Sequence, residues 1–337
     1  MKYRLLGRTG LFVSEICFGA MTFGGKGFWA VVGTQGETEA DRLVGQAIEG
    51  GVNFFDTANV YSEGESERLL GKALGSRRQD IILATKVRGR IGPGPNEVGL
   101  SRGHIHASID ASLKRLGTDY IDLYQIHGFD PLTPLDETLR ALEDVVRAGK
   151  VRYLGCSNLA AWHLMKAIGI SERHGWSRFD SLQAYYSIAG RDLEREMVPL
   201  LQDQNVGLMV WSPLAGGLLS GKFSRDGAGP EGTRRASFDF PPVDKDRAFA
   251  ALDVMRAIAT EKGTTVPRIA LAWVLHQKWV TTVIIGAKNE DQLADNLGAA
   301  DVVLTPEEVT RLDKVSALPL EYPGWMVTRQ SGERVAK

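Results

Sequence analysis

Residues 81–127 read IILATKVRGRIGPGPNEVGLSRGHIHASIDASLKRLGTDYIDLYQIH, and the alternation inside this stretch decides the fold. Ile81–Lys86 is a short apolar run closed by an ammonium group, and Ile121–His127 is a second run closed by an imidazole. Between them Ile105–Leu116 carries apolar residues at helical spacing, and Ser101 stands where a cap can start that helix. A strand, a helix and a second strand in this order make a βαβ unit, whose strands lie parallel.

The same alternation extends in both directions. Upstream lie the runs Ile16–Gly19 and Asn53–Asp56; downstream lie Val151–Cys156, Ser181–Ala184, Gly207–Trp211 and Thr282–Gly286. Amphipathic stretches at Glu39–Glu49, Glu65–Leu74, Leu135–Arg147, Trp162–His174 and Leu193–Asp203 predict the helices between them. Thr305-Pro306-Glu307-Glu308 offers a cap, a first-turn proline and a capping-box glutamate for a late helix. Gly75 and Gly149 stand where helix ends favour a left-handed residue. Eight strands alternating with helices predict an α/β fold, a closed parallel (β/α)8 barrel forming a single domain over residues 1–337. Tyr3–Leu6 and Leu11–Val13, joined by a turn at Gly7–Gly10, predict an N-terminal β-hairpin ahead of it. An open doubly wound sheet is the competing arrangement, but a dinucleotide-binding sheet carries G-x-G-x-x-G at its first strand-to-helix turn. Gly24-Gly25-Lys26-Gly27 and Gly92-Pro93-Gly94 do not have that spacing.

The long irregular segments Phe23–Gly36, Val87–Leu100, Gly216–Asp244 and the tail after Leu318 follow strand ends or the last helix. In a barrel, segments after strand C-termini build the active-site face. Aromatic residues gather in them: Phe28, Trp29, Phe223, Phe238, Phe240, Tyr322 and Trp325.

Composition narrows the function. A formal charge of −1 gives no field that would draw the 337-residue chain to nucleic acid or an anionic membrane. No apolar run reaches the roughly 18 residues of a membrane span, and the basic start leads into no signal-like apolar core, so the cytoplasm is the expected compartment. Cys17 and Cys156 sit in apolar runs and read as buried thiols in a reducing environment. His104 and His106, two apart at a helix start, point to different faces and read as surface residues. HExxH, paired CxxC and GxxxxGK[ST] patterns are missing from the sequence, so no metal is called; Ser220 and Ser212 lack a G-x-S-x-G elbow, so serine hydrolysis has no support.

Four polar residues remain at or just beyond the ends of successive strands: Asp56, Tyr61, Lys86 and His127. Asp56 and Lys86 each put a charge at the end of an apolar run, the local conflict that functional sites carry. Together they suit proton delivery to a carbonyl oxygen. A tyrosine titrates near 10 on its own; a lysine cation beside it is expected to lower that value. Asp56 would keep Lys86 charged, His127 would hydrogen-bond the substrate oxygen, and Tyr61 would be general acid in reduction and base in oxidation. A metal-dependent barrel isomerase would need more clustered His, Asp and Glu than Asp56 and His127.

Phe54-Phe55-Asp56-Thr57-Ala58-Asn59-Val60-Tyr61-Ser62-Glu63-Gly64-Glu65-Ser66-Glu67, with Ala84-Thr85-Lys86-Val87 and Asp122-Leu123-Tyr124-Gln125-Ile126-His127, resembles the aldo-keto reductase superfamily. Within it the chain is similar, from about Tyr3 to about Leu318, to bacterial reductases related to potassium-channel β subunits. The resemblance implies a (β/α)8 barrel, the tetrad Asp56, Tyr61, Lys86 and His127, and hydride transfer from NADPH to a small carbonyl substrate. It leaves a cofactor-loaded regulatory subunit as the alternative; in the channel branch asparagine takes the histidine position, whereas this chain has His127.

The same resemblance implies cofactor contacts at Gly19, Ala20 and Met21 after the first strand, at Asp56, and at Ser157, Asn158 and Gln183 around the nicotinamide amide. It implies support of the ring and wrapping of the pyrophosphate by Trp211, Ser212, Pro213, Leu214 and Gly216. Gly286, Lys288, Gln292 and Asn296 are the counterparts of residues that hold the adenosine and its 2′-phosphate. A helix beginning near Glu290 presents its N-terminus there, and Lys288, with Lys222, Arg234 and Arg235 on the preceding long loop, supplies the positive charge a 2′-phosphate needs. Glu290 and Asp291 act against it. Phe23, Phe28, Trp29, Val87, Arg88 and Trp325 are the expected lining of the substrate pocket. The sequence leaves the oligomeric state open.

Overall fold

The computed structural model describes residues 1–225, 229 and 233–333; parts of the segments 216–244 and 319–337 named above lie outside the described residues. The hairpin strands β1 (Tyr3–Leu5) and β2 (Phe12–Ser14) pair antiparallel, Tyr3 opposite Ser14 and Leu5 opposite Phe12. Eight further strands follow: β3 (Ile16–Gly19), β4 (Phe54–Asp56), β5 (Ile82–Val87), β6 (Ile121–Ile126), β7 (Val151–Ser157), β8 (Phe179–Tyr185), β9 (Gly207–Trp211) and β10 (Val280–Ile285). They are parallel, pair in chain order, and close β10 onto β3.

Period-two alternation sorts their side chains into two cores. Phe18, Phe55, Leu83 and Tyr124 point outward under the helices and join the large core. Cys17, Phe54, Ala84, Leu123 and Met209 point inward, where Leu6 and Val13 of the hairpin segment cap them. Two residues further along the same strands, this inward register reaches Asp56, Lys86 and Gln125, a polar layer above the apolar floor.

The helices are α1 (Glu37–Glu49), α2 (Glu65–Leu74), α3 (Arg102–Leu116), α4 (Leu135–Arg147), α5 (Ala161–His174), α6 (Met197–Gln204), α7 (Arg234–Ser237), α8 (Lys245–Lys262), α9 (Val266–His276), α10 (Glu290–Leu297), α11 (Pro306–Ser316) and α12 (Gly324–Gly332). Ser101 accepts from the His104 amide, and Thr305 with Glu308 forms the expected capping box. Helix α6 begins four residues later than the amphipathic pattern predicts. A start at Leu193 would put Pro199 in the helix interior, where it removes a hydrogen bond; a start at Met197 leaves it in the first turn. Strands β8 and β10 begin two residues earlier than read from the sequence.

His104 is buried, within 3.4 Å of Ser108 Oγ one turn on, and is not the surface residue its spacing suggested. Cys17 and Cys156 are free and buried. No helix among the described residues is long and apolar enough to cross a membrane.

Candidate active site

A cavity of about 750 Å³ opens at the C-terminal ends of the barrel strands. Asp56, Tyr61 and His127 line its floor together with Gln183. Each arrives by a different route. Asp56 is the last residue of β4, and Lys86 is the fifth residue of β5, on the next strand over. His127 follows β6 in the inward register of Leu123 and Gln125, and its amide is tied to the Val87 carbonyl at 2.8 Å. Tyr61 opens a short turn whose next two residues, Ser62 and Glu63, have left-handed backbones (φ +49° and +58°). The Ser62 hydroxyl fixes this turn by donating to the Phe23 carbonyl and accepting from the Gly25 amide.

Lys86 is fully buried, and its ammonium donates to Asp56 Oδ2 at 2.5 Å, to the Thr57 carbonyl at 2.8 Å and to the Tyr61 hydroxyl at 3.3 Å. The other Asp56 oxygen accepts from Gln125 and Gln183, each at 2.9 Å. Tyr61 Oη lies 3.5 Å from His127 Nε2. Burial opposes the charge on Lys86, but Asp56 and Tyr61 outweigh it and hold the ammonium pKa above the ordinary lysine value. His127 lines the cavity; burial, then the cations of Lys86 and Arg88, push its pKa down to about 3. The imidazole is therefore neutral at physiological pH.

Tyr61 corrects one expectation. Lys86 does favour its ionised form, but burial is the larger effect and holds the phenol above its usual value. The hydroxyl keeps its proton through the neutral range.

Most residues expected at the cofactor face meet on one cavity wall: Gly19, Met21, Ser157, Asn158, Gln183, Trp211, Ser212, Pro213, Leu214, Gly216, Lys222, Gly286, Lys288, Gln292 and Asn296 all line it. Ser157 Oγ is buried there without a hydrogen-bond partner. Asn158 has a left-handed backbone (φ +56°), donates to the His127 carbonyl and accepts from the Trp211 indole at 3.0 Å. Ser212 Oγ accepts from the Gly216 amide and tightens the turn after β9. Gly216 has to be glycine: its φ is +67°, and an added Cβ would fall 2.2 Å from the Phe240 carbonyl oxygen. At the far end Asn289 caps α10, and the Lys288 amide donates to Gln292 Oε1.

Two of the expected cofactor contacts lie elsewhere. Ala20 is fully buried beneath the rim, its carbonyl accepting from Ser66. Arg235 turns into the loop, donating to the Ala215 and Pro241 carbonyls and pairing with Asp239 at 2.8 Å. It anchors the loop, and its neighbour Arg234 lines the cavity in its place.

Of the expected substrate lining, Phe28 and Trp29 are present. Phe23 and Val87 are fully buried in the outer core: Val87, the last residue of β5, points outward under the helices, and Phe23 packs there just after β3. Arg88 has its Nε on the Phe129 carbonyl, away from the cavity lining. Trp325 sits exposed in α12, packed edge-on against Tyr322. The tail forms a surface helix where an active-site segment was expected.

Gln125 had no role assigned from the sequence, and Arg234, Phe238 and Phe240, read there only as a cation for the 2′-phosphate and as loop aromatics, line the cavity. Gln125 was findable as the inward residue two before His127. The rest depend on how the loop after β9 folds back, which no periodicity encodes.

Comparison with known proteins agrees with this geometry. A family model described as Aldo/keto reductase family matches residues 15–317. An uncharacterized oxidoreductase, YrpG, of Bacillus subtilis is 40% identical over 326 residues, covering 94% of this chain and 96% of that protein. A probable voltage-gated potassium channel subunit beta of Arabidopsis thaliana is 37% identical, over the same shares of each chain. The versiconal hemiacetal acetate reductase of Aspergillus parasiticus is 38% identical, over 68% of this chain and 66% of its own length. With a family match that spans most of the barrel and relatives of this similarity, the chain belongs to the aldo-keto reductase family.

Proposed function

We propose that the chain, as one barrel domain, is an NADPH-dependent reductase that converts a small aldehyde or ketone to its alcohol, with Tyr61 as general acid. The observation that carries this reading is the Tyr61 hydroxyl on the cavity floor, 3.3 Å from a buried ammonium and 3.5 Å from a neutral imidazole.

Cavity chemistry supports a dinucleotide. Ser157, Asn158 and Gln183 offer polar atoms for an amide, and the unpartnered Ser157 hydroxyl calls for a ligand group. Ser212, Gly216 and Lys222 would hold a pyrophosphate. Lys288, Gln292 and Asn296 would hold the adenosine and its 2′-phosphate, with Lys288 favouring NADPH over NADH. When bound, NADPH supplies the hydride.

The chain supplies the rest. Neutral His127 orients the carbonyl oxygen beside Tyr61 Oη by hydrogen bonding. Tyr61 donates its proton to that oxygen as negative charge develops, and Lys86 stabilises the phenolate left behind. Asp56 keeps Lys86 charged in a buried setting where an unpaired ammonium would otherwise give up its proton. In the oxidative direction Tyr61 serves as the base.

A regulatory role beside a channel, suggested by the name of the Arabidopsis relative, has less support, since His127 completes a proton-delivery set that binding alone does not need. Purified protein should consume NADPH with a panel of aldehydes and ketones. Failure to turn over any of them while binding NADPH would overturn the reductase reading in favour of the regulatory one.

A further inference from the structure

Adjacent arginines on α7 have opposite fates. Arg235 is saturated by two carbonyls and Asp239. Arg234 lines the cavity with its Nε buried and without a hydrogen-bond partner, and among the described residues it forms no ion pair. A guanidinium left in this state inside a cavity is costly unless a ligand completes it.

Its surroundings define the shape of that ligand. Trp29 packs edge-on against Tyr61 at 4.8 Å, Phe28 against Trp29 at 5.7 Å, and Phe238 against Phe28 at 5.2 Å. The Arg234 guanidinium lies 5.9 Å from the centre of the Phe238 ring. Phe240 continues the wall from Phe238 to Trp211, stacking parallel to the latter with centroids 5.8 Å apart. An aromatic wall therefore runs from the proton donor to an unpaired cation. The two ends sense each other across the cavity: the Arg234 charge favours the ionised form of Tyr61.

Among the described residues, no carboxylate lining the cavity is free to pair with this cation. Asp56 is occupied by Lys86, Gln125 and Gln183, and Asp295, the other acidic residue lining the cavity, is occupied by Arg268 and Thr265. The phosphate-binding role proposed above falls to Lys222 and Lys288.

We propose that Arg234 is a specificity-determining residue: the cavity selects a flat aromatic aldehyde or ketone that carries a carboxylate at the end remote from its carbonyl, and the guanidinium pairs with that carboxylate. This rests on the reductase reading and names its substrate class. Guanidinium matches a carboxylate with two parallel hydrogen bonds, while the aromatic wall supplies ring contacts and excludes water from the pair.

The test compares 4-carboxybenzaldehyde with its methyl ester as substrates, in the wild type and in Arg234→Met and Arg234→Lys. The wild type is expected to favour the acid by tenfold or more in kcat/KM, chiefly through KM. Arg234→Met is expected to bring the ratio near one, and Arg234→Lys to restore part of it. A preference that survives Arg234→Met, or a wild type that prefers the ester, overturns the proposal. So does a tenfold loss of NADPH affinity in Arg234→Met, which would put the guanidinium on the cofactor phosphates.

Binding of 4-(hydroxymethyl)benzoate, followed by quenching of tryptophan fluorescence, separates this proposal from the reading beneath it. Carboxylate-dependent binding that Arg234→Met abolishes supports the anion site even where no aldehyde is turned over. Turnover of the ester with no carboxylate-dependent binding leaves the reductase reading standing and overturns the role of Arg234.

Discussion

Tyr61 Oη and His127 Nε2 lie 3.5 Å apart, although 66 positions separate the residues in sequence and they stand beyond different strands. The pair places a protonated phenol beside an imidazole held neutral, so both groups can donate to one carbonyl oxygen.

Replacing Tyr61 with phenylalanine deletes the proton donor and little else. Turnover is expected to fall by about a hundredfold or more, within the usual contribution of a general acid. NADPH binding, followed by fluorescence titration, should stay within a small factor of wild type. A Tyr61→Phe variant that keeps most of its kcat removes the acid assignment.

Lys86 and Asp56 bury their charges together, with side chains 0% and 4% exposed. Lys86→Met leaves the carboxylate without its cation and is expected to cost about 3–5 kcal/mol in chemical denaturation. Asp56→Asn added to that variant should recover part of the loss, because it removes the stranded charge. Full additivity of the two substitutions would mean that the pair is not coupled.

His127 gives a pH signature. Its folded-state pKa is lowered to about 3 by burial and by the Lys86 and Arg88 cations, while the unfolded chain titrates near the ordinary histidine value of about 6.5. The unfolded state therefore binds the extra proton between these values, and stability present above about 6.5 is lost as pH falls towards 3, by up to about 1.4 kcal/mol per pH unit. Stability measured against pH in wild type and His127→Gln should show a shallower decline in the variant over that window. The rate of reduction should carry no limb near pH 6.5 that disappears in His127→Gln.

Lys288 is exposed at the far end of the cavity, so solvent screens its charge. Lys288→Glu is expected to weaken NADPH by roughly tenfold, about 1.4 kcal/mol, and NADH by much less. Equal weakening of both cofactors would move Lys288 away from the 2′-phosphate.

Much of this protein follows from sequence alone. Strands and helices are set by local periodicity, and eight alternating units have a closed barrel as their natural packing. Because a strand directs every second side chain to one face, Phe54, Ala84 and Leu123 lead two residues on to Asp56, Lys86 and Gln125, and His127 extends the series. The convergence of the tetrad positions was thus legible from strand ends. The tertiary structure alone decided which of two neighbouring arginines enters the cavity, and that Phe23, Val87 and Ala20 pack beneath the rim. It also decided that burial outweighs Lys86 at Tyr61. These outcomes depend on distances across the folded chain and on exclusion of water, and neither is written in the spacing of residues along a strand.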